Sequence, residues 1–260
     1  MTMGFLTLAT GDDRYRRLAA NLLRSYRLHT AAPLPFAILT DRENADTAAF
    51  DRVMLLREPK GNYLDKLALF DHLPFDTTIF IDADCLAFGD LNVLFDWFSR
   101  GDDVSCHGRV LPLTGKSGWF DYENLGALQS EVSYCVGLHG GIYYIRRAEK
   151  AAAVFRRARE LAADYDRFRF RGNFPTPGDE PLMALAMALE GCRPEPYRKE
   201  GICCYWEWKD SLRMNIRRGR AVYGGGQRTL LVHFGTRFTG KLRYRLQAAL
   251  LAFGRRNWHD

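Results

Sequence analysis

The run Thr77-Thr-Ile-Phe-Ile-Asp82-Ala-Asp84 joins a β-rich apolar segment to two carboxylates at alternate positions where that segment ends. Such a run predicts a buried strand with both carboxylates at its carboxyl end. Hard carboxylate oxygens at that point suit Mg²⁺ or Mn²⁺ carrying substrate phosphates. The alternative interpretation is a pair of solvated loop aspartates, and the Asp-x-Asp spacing does not decide between the two.

Short apolar strands alternate with helices on the amino-terminal side of this run. The predicted elements are, in order, a strand over Gly4–Thr10, a turn at Gly11–Asp13 that can also cap a helix from Tyr15 to about Leu28, strands over Phe36–Leu39 and Val53–Leu56, and an amphipathic helix over Leu64–His72. This order predicts an α/β, Rossmann-like fold with a central, mostly parallel sheet flanked by helices. Ligands of such sheets bind outside the carboxyl ends of the strands, which is where Asp82 and Asp84 are expected.

The chain has 260 residues, of which 47% are hydrophobic, and this is enough for one sizeable core. We therefore predict one elaborated α/β domain over residues 1–240 and a separate tail over residues 241–260. We expect no signal peptide before the first strand, and no apolar run in the sequence is long enough to span a bilayer. The six cysteines show no metal-type Cys-x-x-Cys spacing, so we expect reduced thiols in a cytoplasmic protein.

The net charge of +6 is concentrated late in the chain. The segment from Lys241 to Trp258 has the pattern of a basic amphipathic helix with a terminal tryptophan. One hypothesis places this helix on an anionic inner membrane surface, where the protein would be peripheral and close to lipid-linked acceptors. The alternative is a helix packed on the domain with a solvated cationic face.

Further motifs follow one another in a characteristic order. They are Thr7-Leu-Ala-Thr10 with Asp12 and Tyr15, then Lys66 before Phe80-Ile-Asp-Ala-Asp84, then His139-Gly-Gly141-Ile-Tyr-Tyr-Ile, then Gly178-Asp179-Glu180-Pro-Leu, and finally Leu231-Val-His233-Phe-Gly235. In this order, from about Gly4 to Lys241, the chain resembles the family 8 glycosyltransferases, the group that contains glycogenin and bacterial lipooligosaccharide galactosyltransferases. The resemblance implies a GT-A fold and retaining transfer of a hexose from a nucleotide sugar, UDP-linked in this family, to a glycan or glycolipid acceptor.

The resemblance also implies a metal site. It assigns Asp82, Asp84 and His233 to Mn²⁺, or Mg²⁺, because a divalent ion beside the departing phosphate stabilises the charge that develops there. His233 ends an apolar run that begins at Thr229. Without the resemblance, a lone histidine after a strand is more often a structural residue than a ligand.

Contacts to the nucleotide sugar are implied in the same way. The base and ribose fall to Thr10, Asp12 and Tyr15, and the donor sugar or phosphates to Lys66. The other implied contacts are Asp82, Ala83, His139, Gly140, Gly141, Gly235, and either Arg237 or Lys241. The competing interpretations are that Tyr15 covers the first helical turn and that Lys66 is a solvated surface lysine.

Two positions depart from the family pattern. His139 stands where the family commonly has asparagine, which leaves the identity of the donor sugar open. The family's diphosphate-binding lysine usually follows its late histidine by six residues, whereas Lys241 follows His233 by eight. Arg237 is the other candidate for this role, because the planar fork of an arginine binds phosphate oxygens bidentately.

Asp179 and Glu180 are the predicted catalytic residues, since they resemble the family's segment that lines the reactive face of the donor sugar. In a retaining enzyme a group at this place would stabilise an oxocarbenium-like transition state. In an inverting enzyme one carboxylate would act as the base for the acceptor hydroxyl. The alternative is that both are first-turn acids favoured by the dipole of the helix that they open.

Two other function classes remain open. A phosphatase or phosphotransferase of the haloacid dehalogenase type also ends a strand in Asp-x-Asp, but it normally has a threonine two residues later, where this chain has Leu86. A non-catalytic protein that binds nucleotide sugars, or nucleic acid through the basic surface, is the second class. No recognised nucleic-acid motif accompanies the arginines, so no nucleic-acid partner is expected.

Overall fold

Strands and helices alternate through most of the chain, which a computed structural model describes for residues 1–113, 119–170, 177–198 and 200–253. The strands are β1 (Met3–Ala9), β2 (Phe36–Thr40), β3 (Arg52–Leu55), β4 (Thr77–Ile81), β5 (Cys85–Ala87), β6 (Val104–Leu111), β7 (Cys135–Arg146), β8 (Glu195–Pro196), β9 (Ile202–Cys204), β10 (Arg213–Asn215), β11 (Arg220–Tyr223), β12 (Gln227–Arg228) and β13 (Leu231–His233). The α-helices are α1 (Asp13–His29), α2 (Val93–Phe98), α3 (Glu149–Ala163), α4 (Asp179–Leu189), α5 (Tyr205–Trp208) and α6 (Leu242–Phe253).

A seven-stranded sheet has the strand order β3-β2-β1-β4-β7-β6-β8. Strand β2 pairs with β3, β1 with β4, and β6 with β8 in parallel, whereas β6 and β7 are antiparallel. Strands β10-β11-β12 and strands β5-β13-β9 form two smaller sheets. The predicted α/β class, with a large and mostly parallel sheet flanked by helices, is confirmed.

Contacts between residues divide the described chain into two compact units. The first unit comprises Met1–Leu6, Leu56–Phe80 and Phe95–Tyr197. The second unit comprises Thr7–Leu55, Ile81–Leu94 and the residues from Arg198 onward.

The core of the first unit is built around α4, which is buried on every side. All its residues from Pro181 to Ala188 are buried, a pattern typical of a helix enclosed by other elements. Helix α3 packs against α4 and contributes Val154, Phe155 and Ala158. Because α4 is held all round, the two acidic residues in its first turn have fixed positions.

The core of the second unit is built around α1. The Asp12 side chain accepts a hydrogen bond from the Arg14 amide, so it caps the helix as the turn pattern predicts. Leu18, Leu22 and Tyr26 recur at helical spacing and are fully or almost fully buried. The helix therefore presents a continuous apolar stripe, and it packs against β5.

The predicted helix over Leu64–His72 is wrong in type. The chain there forms two 3₁₀ segments, Tyr63–Ala68 and Phe70–His72. The Asp65 carboxylate accepts hydrogen bonds from the amides of Lys60 and Gly61, which holds the preceding loop against the first turn. Such local side-chain to backbone bonds compete with an α-helix and favour a tighter turn.

All six cysteines are buried and free of disulfides. Among the described residues, no helix has the length and apolar character that crossing a membrane requires. Helix α6 covers residues 242–253 of the predicted tail, and the rest of that tail, including Trp258, lies outside the described residues.

Candidate functional sites

The Asp-x-Asp segment forms a tight turn between two strands. β4 ends at Ile81, and the Cys85 amide donates to the Asp82 carbonyl at 3.1 Å before β5 begins. The Asp84 carbonyl accepts from the Phe234 amide at 3.2 Å, which fixes the turn against the segment after β13. Both carboxylates are mostly buried, with side-chain exposures of 17% for Asp82 and 12% for Asp84.

His233 reaches this turn from a distant part of the sequence. Strand β13 pairs with β5 in an antiparallel register that sets His233 opposite Cys85. The His233 Nε2 atom consequently lies 3.0 Å from Asp84 Oδ1 and 3.7 Å from Asp82 Oδ2. The structure therefore brings together the three residues predicted as metal ligands.

The donor set fits a divalent ion. Six ligands at about 2.1 Å in an octahedron place neighbouring ligand atoms about 3.0 Å apart, and Asp84 Oδ1 and His233 Nε2 have this spacing. The Cys85 thiol is also close, since ligand atoms of Asp84, Cys85 and His233 all lie within 4.8 Å of one another. Carboxylate oxygens and an imidazole nitrogen are suitable ligands for Mn²⁺, whereas thiolate ligands favour softer metal ions. Sequence reasoning missed Cys85, although the residue directly follows the Asp-x-Asp motif.

One aromatic residue of the second unit, Trp206, packs against His233. The Trp206 ring meets the His233 ring edge to face at a centroid distance of 5.1 Å. Gly235 has a φ of +68°, and a Cβ there would lie 3.1 Å from the Trp206 ring. Sequence reasoning did not identify Trp206 as a neighbour of the metal site, because no local pattern links it to His233.

The two basic candidates for the diphosphate are both exposed. The Arg237 guanidinium lies 4.7 Å from the centre of the Phe238 ring, in the short 3₁₀ segment Thr236–Phe238. Lys241 lies just before α6, and its amide donates to the Phe238 carbonyl. Either cation is accessible to an anionic ligand.

The residues predicted to contact the nucleotide base lie on the loop that connects β1 to α1 and on the first turn of that helix. Asp12 is exposed, while Thr10 and Tyr15 are half-buried. The Arg14 guanidinium lies 5.3 Å from the centre of the Tyr15 ring. These contacts leave the Asp12 carboxylate and part of the Tyr15 ring at the surface of the second unit.

A buried ionic cluster occupies the first unit. The Lys66 ammonium lies 3.3 Å from Asp179 Oδ2 and 3.3 Å from the Gly140 carbonyl, to which it donates. The Tyr143 hydroxyl donates to the same Asp179 oxygen at 3.1 Å. Lys66 and Asp179 have relative exposures of only 9% and 2%. The competing interpretation of Lys66 as a solvated surface lysine is therefore wrong.

Glu180 holds the backbone of the glycine pair on β7. Its Oε1 atom accepts from the Gly140 amide at 2.6 Å, and a Cβ at Gly140 would lie 2.5 Å from Glu180 Cγ. The Gly141 amide donates to His139 Nδ1 at 3.2 Å. Burial raises the pKa of the neighbouring Cys106 thiol, and the charge of Glu180 adds to that rise. The Gly140 amide binds Glu180, and its carbonyl binds Lys66, so side chains engage both polar backbone groups of this glycine.

Two solved structures are similar to this chain in fold. One is a crystal structure of the galactosyltransferase LgtC in complex with donor and acceptor sugar analogs, with a TM-score of 0.58 and 14% identity over 95% of this chain and 96% of that one. The other is mouse xyloside xylosyltransferase 1 in its apo form, with a TM-score of 0.54 and 12% identity over 92% of this chain and 99% of that one. No protein-family model matches the chain, and no curated protein gives a significant match. The similarity establishes a GT-A-like glycosyltransferase fold.

Proposed function

We propose that this protein is a metal-dependent glycosyltransferase, which transfers a hexose from a UDP-linked sugar to a glycan or glycolipid with retention of anomeric configuration. The observation that carries the proposal is the convergence of Asp82, Asp84 and His233 in the second unit. A GT-A-like fold supports it, since glycosyltransferases with solved structures share this fold.

In this proposal the three converging side chains hold Mn²⁺ or Mg²⁺. The bound ion would neutralise the negative charge that develops on the departing nucleotide diphosphate. The mostly buried setting of the carboxylates favours this role, because a partly desolvated site strengthens attraction between unlike charges. Ala83, between the two aspartates, is only 7% exposed, and in this proposal its backbone contacts the donor.

The nucleotide is assigned to the loop before α1 and to the segment after β13. Thr10, Asp12 and Tyr15 contact the base and ribose, and the exposed Arg237 or Lys241 contacts the diphosphate beside Gly235. A positive φ at Gly235 and a tight contact with the Trp206 ring both disfavour a larger residue there. Arginine suits the diphosphate because its guanidinium pairs two phosphate oxygens at once.

The sugar is assigned to residues of the first unit. Lys66, His139, Gly140 and Gly141 contact the transferred hexose, and Glu180 supplies negative charge to an oxocarbenium-like transition state. Asp179 is paired with Lys66 at 3.3 Å, and in this proposal it positions the lysine instead of acting as a base. Retention of configuration agrees with this, because no unpaired carboxylate at position 179 is then required to activate the acceptor.

In this proposal the protein lies in the cytoplasm. Helix α6 makes a peripheral contact with the inner face of a membrane. Tyr244, Gln247 and Leu251 are buried, so one face of the helix packs on the second unit. Leu242 and Leu246, one turn apart, are 69% and 51% exposed. Exposed leucines among basic residues suit the boundary between lipid headgroups and acyl chains. A lipid-linked glycan is therefore the favoured class of acceptor.

Calorimetric titration of UDP into the protein with Mn²⁺ tests the proposal. We expect binding that EDTA abolishes and that Asp84→Asn removes, because the substitution takes a charge from the metal site. Asp210→Asn is the matched control, since Asp210 is an exposed carboxylate of the same unit. Transfer of radiolabelled sugar from UDP-hexoses would then identify the donor.

Three outcomes would overturn the proposal. Absence of nucleotide binding by the folded wild type in Mn²⁺ would remove the nucleotide-sugar donor. Hydrolysis of a generic phosphate ester that depends on Asp82 would favour a phosphatase of the haloacid dehalogenase type. Salt-sensitive binding to random DNA without UDP binding would favour a non-catalytic basic binding protein.

A further inference from the structure

The largest fully buried side chain of the described residues is Arg16, on the first turn of α1. Its Nη1 atom lies 2.5 Å from Asp41 Oδ1, its Nη2 donates to the Gly11 carbonyl at 2.6 Å, and its Nε donates to Asp13 Oδ1 at 2.9 Å. Asp41 directly follows β2. One guanidinium thus joins the loop after β1, the start of α1 and the end of β2 within the second unit.

The Gly11 peptide is held from both sides by this cluster. Its amide donates to Asp41 Oδ2 at 3.1 Å, while its carbonyl accepts from Arg16. The backbone at Gly11 has a φ of +76°, a conformation that glycine adopts without steric cost. Because both polar groups of Gly11 are engaged, the loop has one defined path between β1 and α1.

Two further contacts restrain the same loop. The Thr40 hydroxyl donates to the Ala9 carbonyl at 2.7 Å, which ties the end of β2 to the end of β1. Hydrogen bonds from Arg16 and Arg42 lower the pKa of Asp13, so this carboxylate stays ionised and paired. The loop over residues 10–13 is anchored at each end.

Stability alone does not account for a buried arginine at this place. Removing a guanidinium and a carboxylate from water is costly, and well-packed apolar residues of similar volume often replace a buried ion pair without loss of stability. What the ion pair supplies is directional contacts to Gly11 that an apolar pair lacks. The cluster therefore fits a requirement for a loop of defined shape.

We infer that Arg16, with Asp41, is a positioning residue that fixes the β1–α1 loop in the shape that presents Thr10, Asp12 and Tyr15 to a nucleobase. This inference rests on the proposed function. It also predicts that recognition of the base uses residues on either side of Gly11, since the polar groups of Gly11 itself are already committed.

The test compares Arg16→Lys and Asp41→Asn with a matched ion pair whose arginine is on the same helix. Arg27 and Asp51 form an exposed ion pair at 3.0 Å in the second unit, so Arg27→Lys and Asp51→Asn make the same chemical changes away from the loop. We expect the variants at 16 and 41 to weaken UDP binding in Mn²⁺ by about 10- to 100-fold, the effect of losing one or two charged hydrogen bonds. The control variants should stay within about twofold of the wild type.

Further measurements separate positioning from a purely structural role. Hydrogen exchange at the Gly11 amide should quicken in the variants at 16 and 41, and the donor KM should rise while kcat is nearly retained. The double variant Arg16→Met/Asp41→Leu should fold with about wild-type stability and still bind UDP weakly.

Full UDP affinity in the folded double variant, or equal affinities in the loop and control variants, would overturn the inference and leave the proposed function intact. Absence of UDP binding by the wild type would overturn both. Slow Gly11 exchange in Arg16→Lys would also contradict the inference, because the loop would then hold its shape without the guanidinium.

Discussion

His233 Nε2 lies 3.0 Å from Asp84 Oδ1, because the antiparallel register of β13 and β5 sets His233 opposite the residue that follows Asp84. At this distance the imidazole nitrogen and the carboxylate oxygen could both bind the divalent ion that the proposed function requires. The position of His233 is set by a strand, and that of Asp84 by the turn before β5.

Replacing His233 by glutamine should abolish metal-dependent UDP binding while the protein remains folded. Losing an outer partner of a metal ligand already costs 10- to 100-fold in affinity, so losing the ligand itself should weaken Mn²⁺ binding by more than about 100-fold. Titration of Mn²⁺ followed by electron paramagnetic resonance measures this loss. His72→Gln serves as the control, since His72 lies in the first unit. Wild-type Mn²⁺ affinity in His233→Gln would remove His233 from the ligand set.

Glu180→Gln should lower kcat by about 100- to 1,000-fold with little change in the donor KM. The amide oxygen of glutamine can still accept the Gly140 amide, so the substitution removes charge and retains that contact. The magnitude is that of losing one preorganised electrostatic contact to a transition state. Glu160→Gln, an exposed position on α3, is the control.

Gly140→Ala separates charge from geometry at the same place. Its Cβ would displace Glu180, so activity should fall although the carboxylate remains. If Glu180→Gln retained full activity while Gly140→Ala lost it, Glu180 would serve only to hold the glycine backbone. Single-turnover assays on both variants, with Gly240→Ala as an unhindered control, distinguish the two results.

Lys66→Met should destabilise the protein by about 3 kcal/mol, because it leaves the buried Asp179 carboxylate without its cation. Adding Asp179→Asn to this variant should recover much of the loss, since the uncompensated charge is then gone. Urea unfolding of the two single variants and the double variant measures the coupling between the residues. Additive losses would show that the pair does not interact across its 3.3 Å separation.

Stability should decline as the pH falls through the ordinary pKa of histidine, about 6.5. Burial lowers the pKa of His29, partly offset by a backbone hydrogen bond to Ile216. His29 also lines a cavity of about 450 Å³ together with Glu200, Arg228 and Thr229. The unfolded chain binds this proton more readily than the folded one, so the free energy of unfolding rises with pH across this window and is lost below it.

His29→Gln should flatten that decline, because glutamine does not titrate. Urea midpoints of wild type and variant at pH 8, 7, 6 and 5 provide the comparison. An unchanged pH dependence in the variant would show that other groups account for the loss of stability in acid.

Leu242→Glu/Leu246→Glu should weaken binding to anionic vesicles without changing UDP affinity. The substitutions place charges where exposed leucines would enter the lipid interface. Leu28→Glu is the matched control, because Leu28 is an exposed leucine on α1 of the same unit. Sedimentation with phosphatidylserine vesicles, and with a chain truncated at Lys241, measures the effect. Equal, negligible binding by the full chain and the truncated chain would contradict a membrane contact.

Local patterns predicted the elements that carry the sites. The strand ending at Ile81, the capped helix α1 and the helix beginning at Asp179 all follow from apolar periodicity and capping residues close in sequence. The 3₁₀ turns around Lys66 were not predicted. A short amphipathic run does not show which side chains will hydrogen-bond to nearby backbone groups in place of α-helical bonds.

Partnerships between distant residues could not be read from these patterns. The contacts of Asp179 with Lys66 and Tyr143, and of Arg16 with Asp41, depend on which elements become neighbours in the fold. Hydropathy favours an exposed position for every one of the four charged residues in these clusters, yet three of them are buried. The sequence therefore indicates candidate residues, whereas their ionic partners emerge only from tertiary structure.

The pairing of β13 with β5 also bears on how the protein is made. Asp82 and Asp84 are synthesised well before His233, which lies in a segment far along the chain from them. A nascent chain consequently lacks the complete ligand set of the proposed metal site until β13 has emerged, and an ion held by all three side chains cannot guide folding before that point. Completion of the proposed site would therefore report that β13 has paired with β5.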